Sequence, residues 1–374
     1  MQVVPSLNAG GVETVTVDVA RAVAQAGGRS LVASQGGRLE SELEDAGAIL
    51  IRLPVASRNP ITLWRNIARL EAVICREQVS LVHVRSRAPA LSAIAAARRA
   101  GVPVVTSYHG IYGARSPLKR WYNGVMTRGD LVIANSRFTR DHIIAEHGIS
   151  PDKIVVVPEG VDTRRFDPGA VSAQRLEAVR RSWRLNEDHP QIVLLAARLT
   201  DWKGHGLMIA ALAALVDKEG IALVFTGQAD HPGYLRALKA LARRRGVADQ
   251  VYFVGDTADM PAAYALAAAV VAPSSKAESF GRSVAEACAM EASVIASNLG
   301  GPAETVIDGE TGWLLPPGDV DAWASGLSEP LCGPIDYLMD IGAAARARVC
   351  RHYSLESMTE ATFAVYRGLV GGQA

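Results

Sequence analysis

Cysteine is scarce and scattered: Cys75, Cys288, Cys332 and Cys350 form no CxxC pair and have no histidine at metal-ligand spacing. That excludes a disulfide framework and a zinc module and fits a reduced, cytoplasmic chain in which all four thiols read as core filler. Long apolar runs are missing too. No segment reaches the roughly 18 to 20 apolar residues that span a bilayer, and the N-terminus lacks a basic flank leading into a long apolar core. The expectation is a protein neither secreted nor transmembrane. No GxGxxG follows a strand-like run, which argues against an NAD-dependent dehydrogenase, and there is neither a low-complexity tract nor a repeat of short period.

What remains is ordinary in bulk and uneven in layout. With 374 residues, 49% hydrophobic and 21% charged, and a net charge of +1, the chain is long enough for two domains with real cores and carries no nucleic-acid bias. Residues 1–167 hold about 21 Lys and Arg against 15 Asp and Glu, roughly +6, while the remainder is roughly −5. The first half is the one suited to an anionic partner.

Short apolar runs alternate with helical patterns: strands over 31–34, 49–53, 81–84, 102–106, 131–134 and 154–157, with helices over 61–75, 90–100 and 137–147. This rhythm predicts a doubly wound parallel sheet. Breakers at Pro158-Glu159-Gly160-Val161-Asp162 end it. A second alternation follows, with strands over 191–196, 222–226, 251–254 and 269–273, and a last helix over 355–369 long enough to cross back onto the first domain. The expected division is 1–167, 168–352 and a terminal helix in 353–374.

In such sheets ligands bind beyond the carboxyl ends of the strands, so the loops there hold the candidates. Ala277 to Ala292, AESFGRSVAEACAMEA, reads as loop and helix after a buried strand. Glu278 sits in the loop, Gly281 permits close backbone approach, and amides around Phe280, Gly281, Arg282 and Ser283 lie at a helix N-terminus, where an anion is stabilised. Glu286, one turn inside the helix, can face the same ligand. Arg198 and Lys203 bracket the loop after 191–196, where a guanidinium fork and an ammonium can share a diphosphate. Gly227 and Gly255 end two further strands and could flank a flat base. In the first half, Gly10-Gly11-Val12-Glu13 makes a glycine-rich strand-to-helix turn and His109 follows 102–106 at the ligand edge. Asn135-Ser136 reads as a helix cap, and so does Asp319-Val320-Asp321, which leaves no convincing metal site.

Taken together, these features resemble a retaining glycosyltransferase of family 4. They are GGVE near the start, Arg198 with Lys203-Gly204, Glu278 and Glu286 in ESFGRSVAE, then Gly300-Gly301-Pro302-Ala303-Glu304 and Gly309-Glu310-Thr311-Gly312. The resemblance implies the GT-B fold: an acceptor-binding Rossmann-like domain and a nucleotide-sugar-binding one facing a cleft. It implies that Arg198 and Lys203 meet the donor diphosphate, Glu286 the ribose hydroxyls, and Glu278 with the Phe280 and Gly281 amides the donor sugar. Gly10 and Gly11 would reach the diphosphate, and His109 the sugar. It further implies retention by front-face substitution, a UDP- or GDP-sugar as substrate and no metal or other cofactor. Two departures stand out: Glu159 where the family commonly has Asn, expected to bear on the hinge, and Glu291 and Ser293 where it has Gly and then Pro, expected to cost stability at a helix end. A GT-B epimerase, a phosphorylase or an inactive adaptor is the competing reading; the spacing of Glu278 and Glu286 and the presence of Arg198 and Lys203 argue against them.

For the acceptor, Arg115, Lys119, Arg120 and Arg128 alternate with Leu118, Trp121, Tyr122, Val125 and Met126. At helical spacing Leu118, Trp121, Tyr122 and Val125 share a face bordered by cations, a pattern that rests on anionic membranes as well as on a domain's own core. Arg58, Arg65, Arg85 and Arg87, with Trp64 among them, extend this basic and aromatic pattern. The expected acceptor is a lipid-linked or lipopolysaccharide-type glycan, used by a peripheral enzyme at the inner face of the cytoplasmic membrane.

Overall fold

The computed structural model describes residues 1–8, 10–113, 116–185 and 190–371. Seven strands form the first sheet: β1 (Gln2–Val3), β2 (Leu31–Ser34), β3 (Ile49–Arg52), β4 (Val82–Val84), β5 (Val104–Tyr108), β6 (Leu131–Ala134) and β7 (Ile154–Val156). Their order is β3-β2-β1-β4-β5-β6-β7, with every neighbouring pair parallel. Six more, β8 (Gln191–Ala196), β9 (Ile221–Thr226), β10 (Val251–Gly255), β11 (Ala269–Ala272), β12 (Val294–Ser297) and β13 (Trp313–Leu315), form the second. Their order is β10-β9-β8-β11-β12-β13, again parallel throughout. Both are doubly wound sheets in which the order reverses beside the first strand.

Parallel strands covered on both faces should be apolar without alternation, and β2, β4, β5, β9 and β12 are buried at every residue. Against one face of the first sheet pack Leu70, Ile74, Ile94 and Ile143. On the other, Val15 and Val19 of the helix Gly11–Gln25 meet Val105 and Ile133, together with Met358 and Val365 of the terminal helix Leu355–Val370. Each such side chain contributes about 1.5–3 kcal/mol when fully buried. Tyr366 of that helix adds a 2.6 Å hydrogen bond to His83 Nδ1.

The chain thus divides into Met1–Gly160 with Leu355–Ala374, and Val161–Ser354. The seams lie a few residues from the expected 167 and 352, because Val161 pairs with Ser354 and Phe166 is buried in the second core. Only one cysteine fills a core. Cys288 is buried, which pushes its thiol up to about 12, whereas Cys75, Cys332 and Cys350 lie on outward helix faces and are exposed.

Candidate functional site

In the second unit the loops leaving β8 and β11 stand side by side, since these adjacent strands connect onward in opposite directions. This is the reversal point where ligands bind in doubly wound sheets. The two loops close tightly. Ser275 donates its amide to Trp202 O at 2.8 Å, and a Cβ on Gly204, whose φ is +77°, would lie 2.2 Å from Pro273 O. That approach brings Lys203 Nζ within 2.6 Å of Glu278 Oε2, each side chain 15% exposed, while Ser274 donates its hydroxyl to the other carboxylate oxygen. Gly227 leaves β9 equally close to the first loop, a Cβ there lying 2.3 Å from Ala197 O.

The helix Arg282–Ala289 starts beside this pair. Gly281, its N-cap at φ +89°, has no side chain to cap with; Val284 N returns to Gly281 O at 3.0 Å, and the positive end of the helix dipole lies at this loop. Phe280 turns its ring into the core against Tyr353, which anchors the loop. Inside the helix Glu286 is held from two sides: Arg282 Nε donates to one oxygen at 2.9 Å, and Tyr264 OH donates to the other at 3.2 Å. Burial and the neighbouring carboxylate keep the Tyr264 phenol protonated, well above its usual range. Arg198 is arranged differently: it reaches Asp230 at 3.3 Å and stays 67% exposed, a pairing of little energetic weight.

Sequence reasoning passed over His205. Its ring is fully buried, edge-on to Phe225 at 5.0 Å, directly after the Lys203-Gly204 turn. Burial lowers it from 6.5 to about 4, so it is neutral at pH 7. Asp319 caps its helix, accepting from the amides of Asp321 and Ala322. Among the described residues no group of three or more His, Cys, Asp and Glu is placed to hold a metal.

In the first unit the order reverses between β1 and β4. Gly10 caps the helix Gly11–Gln25 in extended conformation, and a Cβ on it would strike the Glu13 carboxylate. His109 follows β5 with its Nδ1 3.2 Å from Glu159 Oε1, and Asn135 Nδ2 donates to the same oxygen at 2.9 Å. The expected capping role of Asn135-Ser136 divides: Ser136 accepts from Thr139 N, and Asn135 serves the acid. Glu159 itself is buried, one residue before Gly160, where the first segment of this unit ends. Arg85 also departs from expectation. It is not a surface cation but 3% exposed, donating to Gln2 Oε1 at 2.8 Å.

The basic surface of this unit is real but narrower than the sequence pattern. Arg58, Arg87, Lys119 and Tyr122 line a cavity of about 350 Å³ with Ser57, Leu63 and Leu91. Arg87 stacks 3.8 Å over the Tyr112 ring. Nearby Leu118, Trp121 and Trp64 are 76%, 54% and 70% exposed. Val125 leaves the expected apolar face and enters the core together with Met126, because the helix Pro117–Asn123 tightens into a 3₁₀ turn at Gly124. Arg120 is tied to Glu146 O at 2.7 Å, and Arg115 lies outside the described residues. Among the described residues no helix is long and apolar enough to cross a membrane.

Two parallel doubly wound sheets, each with polar side chains gathered where its strand order reverses, define the GT-B class of sugar transferases. Residues 9–165 match the model of Glycosyltransferase Family 4 and residues 177–348 that of Glycosyl transferases group 1. The chain is 31% identical over 294 residues to a D-inositol 3-phosphate glycosyltransferase of Segniliparus rotundus, covering 74% of this chain and 63% of that one. To a GDP-mannose-dependent alpha-(1-6)-phosphatidylinositol monomannoside mannosyltransferase of Mycobacterium tuberculosis it is 32% identical, covering 78% and 76%. A solved glycosyltransferase from Rickettsia africae superposes with a TM-score of 0.91 at 29% identity, over 99% of this chain and 98% of that one. Anabaena HepE, solved with UDP-glucose, superposes at 0.85 and 22% identity, over 98% and 99%. The chain belongs to the family 4 glycosyltransferases.

Proposed function

We propose that the protein moves a hexose from a UDP- or GDP-sugar, with retention and without a metal, to a phosphate-bearing, lipid-linked acceptor. One observation carries the donor half: the 2.6 Å contact of Lys203 with Glu278 beside the uncapped helix start at Gly281. A diphosphate arriving there exchanges one anion for another at Lys203 and takes the helix-end amides as further donors. Glu278, released from its partner, accepts from sugar hydroxyls. Arg198 turns from Asp230 to add its fork, Glu286 takes the ribose hydroxyls, and His109 with the Gly10-Gly11 turn serves the donor from the first unit. Preorganised positive charge stabilises the departing diphosphate, which accepts the acceptor's proton, and no side-chain nucleophile takes part.

The acceptor half rests on the Arg58, Arg87 and Lys119 cavity with exposed Trp64, Leu118 and Trp121 beside it. Cations suit a phosphate, and aromatic rings suit the headgroup level of an anionic membrane. The names of both of these relatives include a phosphorylated inositol, one of them in a lipid. A lipopolysaccharide-type glycan belongs to the same chemical class. A second reading, a small soluble phosphorylated acceptor, is favoured by the name of the first relative.

Donor hydrolysis over UDP-glucose, UDP-galactose, UDP-N-acetylglucosamine, UDP-glucuronate and GDP-mannose, with and without EDTA, tests the first half. One donor should be consumed and EDTA should change nothing; strict dependence on Mg²⁺ or Mn²⁺ overturns metal independence. Sedimentation with anionic liposomes tests the second. Binding at low salt, lost at high salt and in the Lys119→Glu, Arg120→Glu variant, is the expected result. Protein left in the supernatant at low salt leaves the soluble acceptor as the reading.

A further inference from the structure

The histidine at the ligand edge of the first sheet is held by an acid. His109 Nδ1 and Asn135 Nδ2 both reach Glu159 Oε1, at 3.2 and 2.9 Å, and the side chains of His109 and Glu159 are 5% and 9% exposed. The orientation of Asn135 is set by its own network. Its Oδ1 accepts from Thr139 Oγ1 at 2.9 Å, so its amide nitrogen faces Glu159. An oxygen taking two donors is an acceptor, and the ionised carboxylate suits it. Arg85, buried behind, adds favourable charge; Asp18, His83 and Tyr366 are further titratable groups near that cation. A carboxylate opposite Nδ1 places the imidazole proton there and leaves Nε2 as the acceptor nitrogen, the reverse of the tautomer that free imidazole side chains prefer in water.

We infer that Glu159 is a positioning residue, holding His109 in the Nδ1–H tautomer so that Nε2 accepts a hydrogen bond from a donor-sugar hydroxyl. The sugar contact rests on the function proposed above; the tautomer does not. An Asn, common in the family at this position, is one methylene shorter and uncharged, so the acid is a feature of this chain's own arrangement. Its effect is on geometry and proton placement rather than on the reacting atoms. Carboxylates behind imidazoles do the same for metal-bound histidines, where the outer partner fixes which nitrogen is presented.

Long-range ¹H–¹⁵N spectra of the ¹⁵N-histidine-labelled full chain, without ligand, test this directly, with the His109 signal assigned by its loss in His109→Gln. The expected pattern is Nδ1–H in the wild type, Nε2–H in Glu159→Leu, and Nδ1–H regained in Glu159→Gln, whose carbonyl oxygen still takes both donors. Hydrolysis of UDP-glucose or GDP-mannose, whichever is turned over, should fall on the order of 10²-fold in Glu159→Leu, the scale of a misplaced contact group, and recover at least about tenfold in Glu159→Gln. An Nε2–H wild type overturns the inference, as does Glu159→Leu with an unchanged tautomer. Should Glu159→Leu not fold, the wild-type and Glu159→Gln spectra decide. A His109→Gln variant with undiminished hydrolysis removes the sugar contact and leaves the tautomer result standing.

Discussion

The two sheets share one strand order around their first strand, yet the chemistry gathered at the reversal differs. In the second unit an ammonium and a carboxylate face each other, Lys203 and Glu278, with a helix end beside them. The first unit gathers a histidine, an amide and a buried acid, and carries its cations further out, around Arg58, Arg87 and Lys119. The same frame therefore supplies two kinds of site. One concentrates charge, where the proposed donor diphosphate is placed; the other orients hydrogen bonds and leaves charge at the rim. Fold alone would not distinguish them, because loops after parallel strands vary without disturbing the sheet.

If the second unit holds the donor through charge, Lys203→Ala should be the most damaging change, lowering turnover by about 10²–10³, the scale of a lost transition-state donor. Steady-state kinetics check it, and a near-normal rate would remove the contrast between the units. Next comes acid. His205 is neutral in the folded chain at about 4 against 6.5 unfolded, so below 6.5 the unfolded state binds the extra proton. Stability is present above pH 6.5 and is lost as pH falls toward 4, by on the order of 3 kcal/mol. His83, lowered in the same direction by burial, adds to the loss in the first unit. Urea unfolding at pH 7 and 4.5 reads this, and His205→Gln should flatten the slope of the second unit alone. The smallest effect sharpens the comparison at a helix end. Glu291 sits at φ 58°, where the amides of Glu291 and Ala292 return to Cys288 O and Ala287 O, a left-handed cap made without glycine. Glu291→Gly should raise stability by about 1 kcal/mol, seen as a shift in Tm with activity unchanged.

Much of this was legible in the sequence because parallel strands buried on both faces are continuous apolar runs; β2, β6 and β8 begin and end where those runs do. The Lys203 and Glu278 loops were placed by their position after such runs, and the strain at Glu291 by a missing glycine. What stayed hidden has a physical cause. β12 and β13 are four and three residues long and lie among small residues and glycines that carry no period. Glu159 and Asn135 are 24 residues apart and meet only because β6 and β7 are neighbours. Arg85 looked like surface charge since composition cannot tell a strand end that points inward.

The first unit is interrupted: its terminal helix Leu355–Val370 is separated from the rest by the whole of Val161–Ser354. On the ribosome the chain appears in order, so Val105 and Ile133 are made long before Met358 and Val365 exist to cover them. The second unit, continuous in sequence, has all its strands available while the first still exposes an apolar face. Birth order thus runs against numbering: the half that starts later can finish first, and the half that starts first depends on residues made after all of the other to close its core.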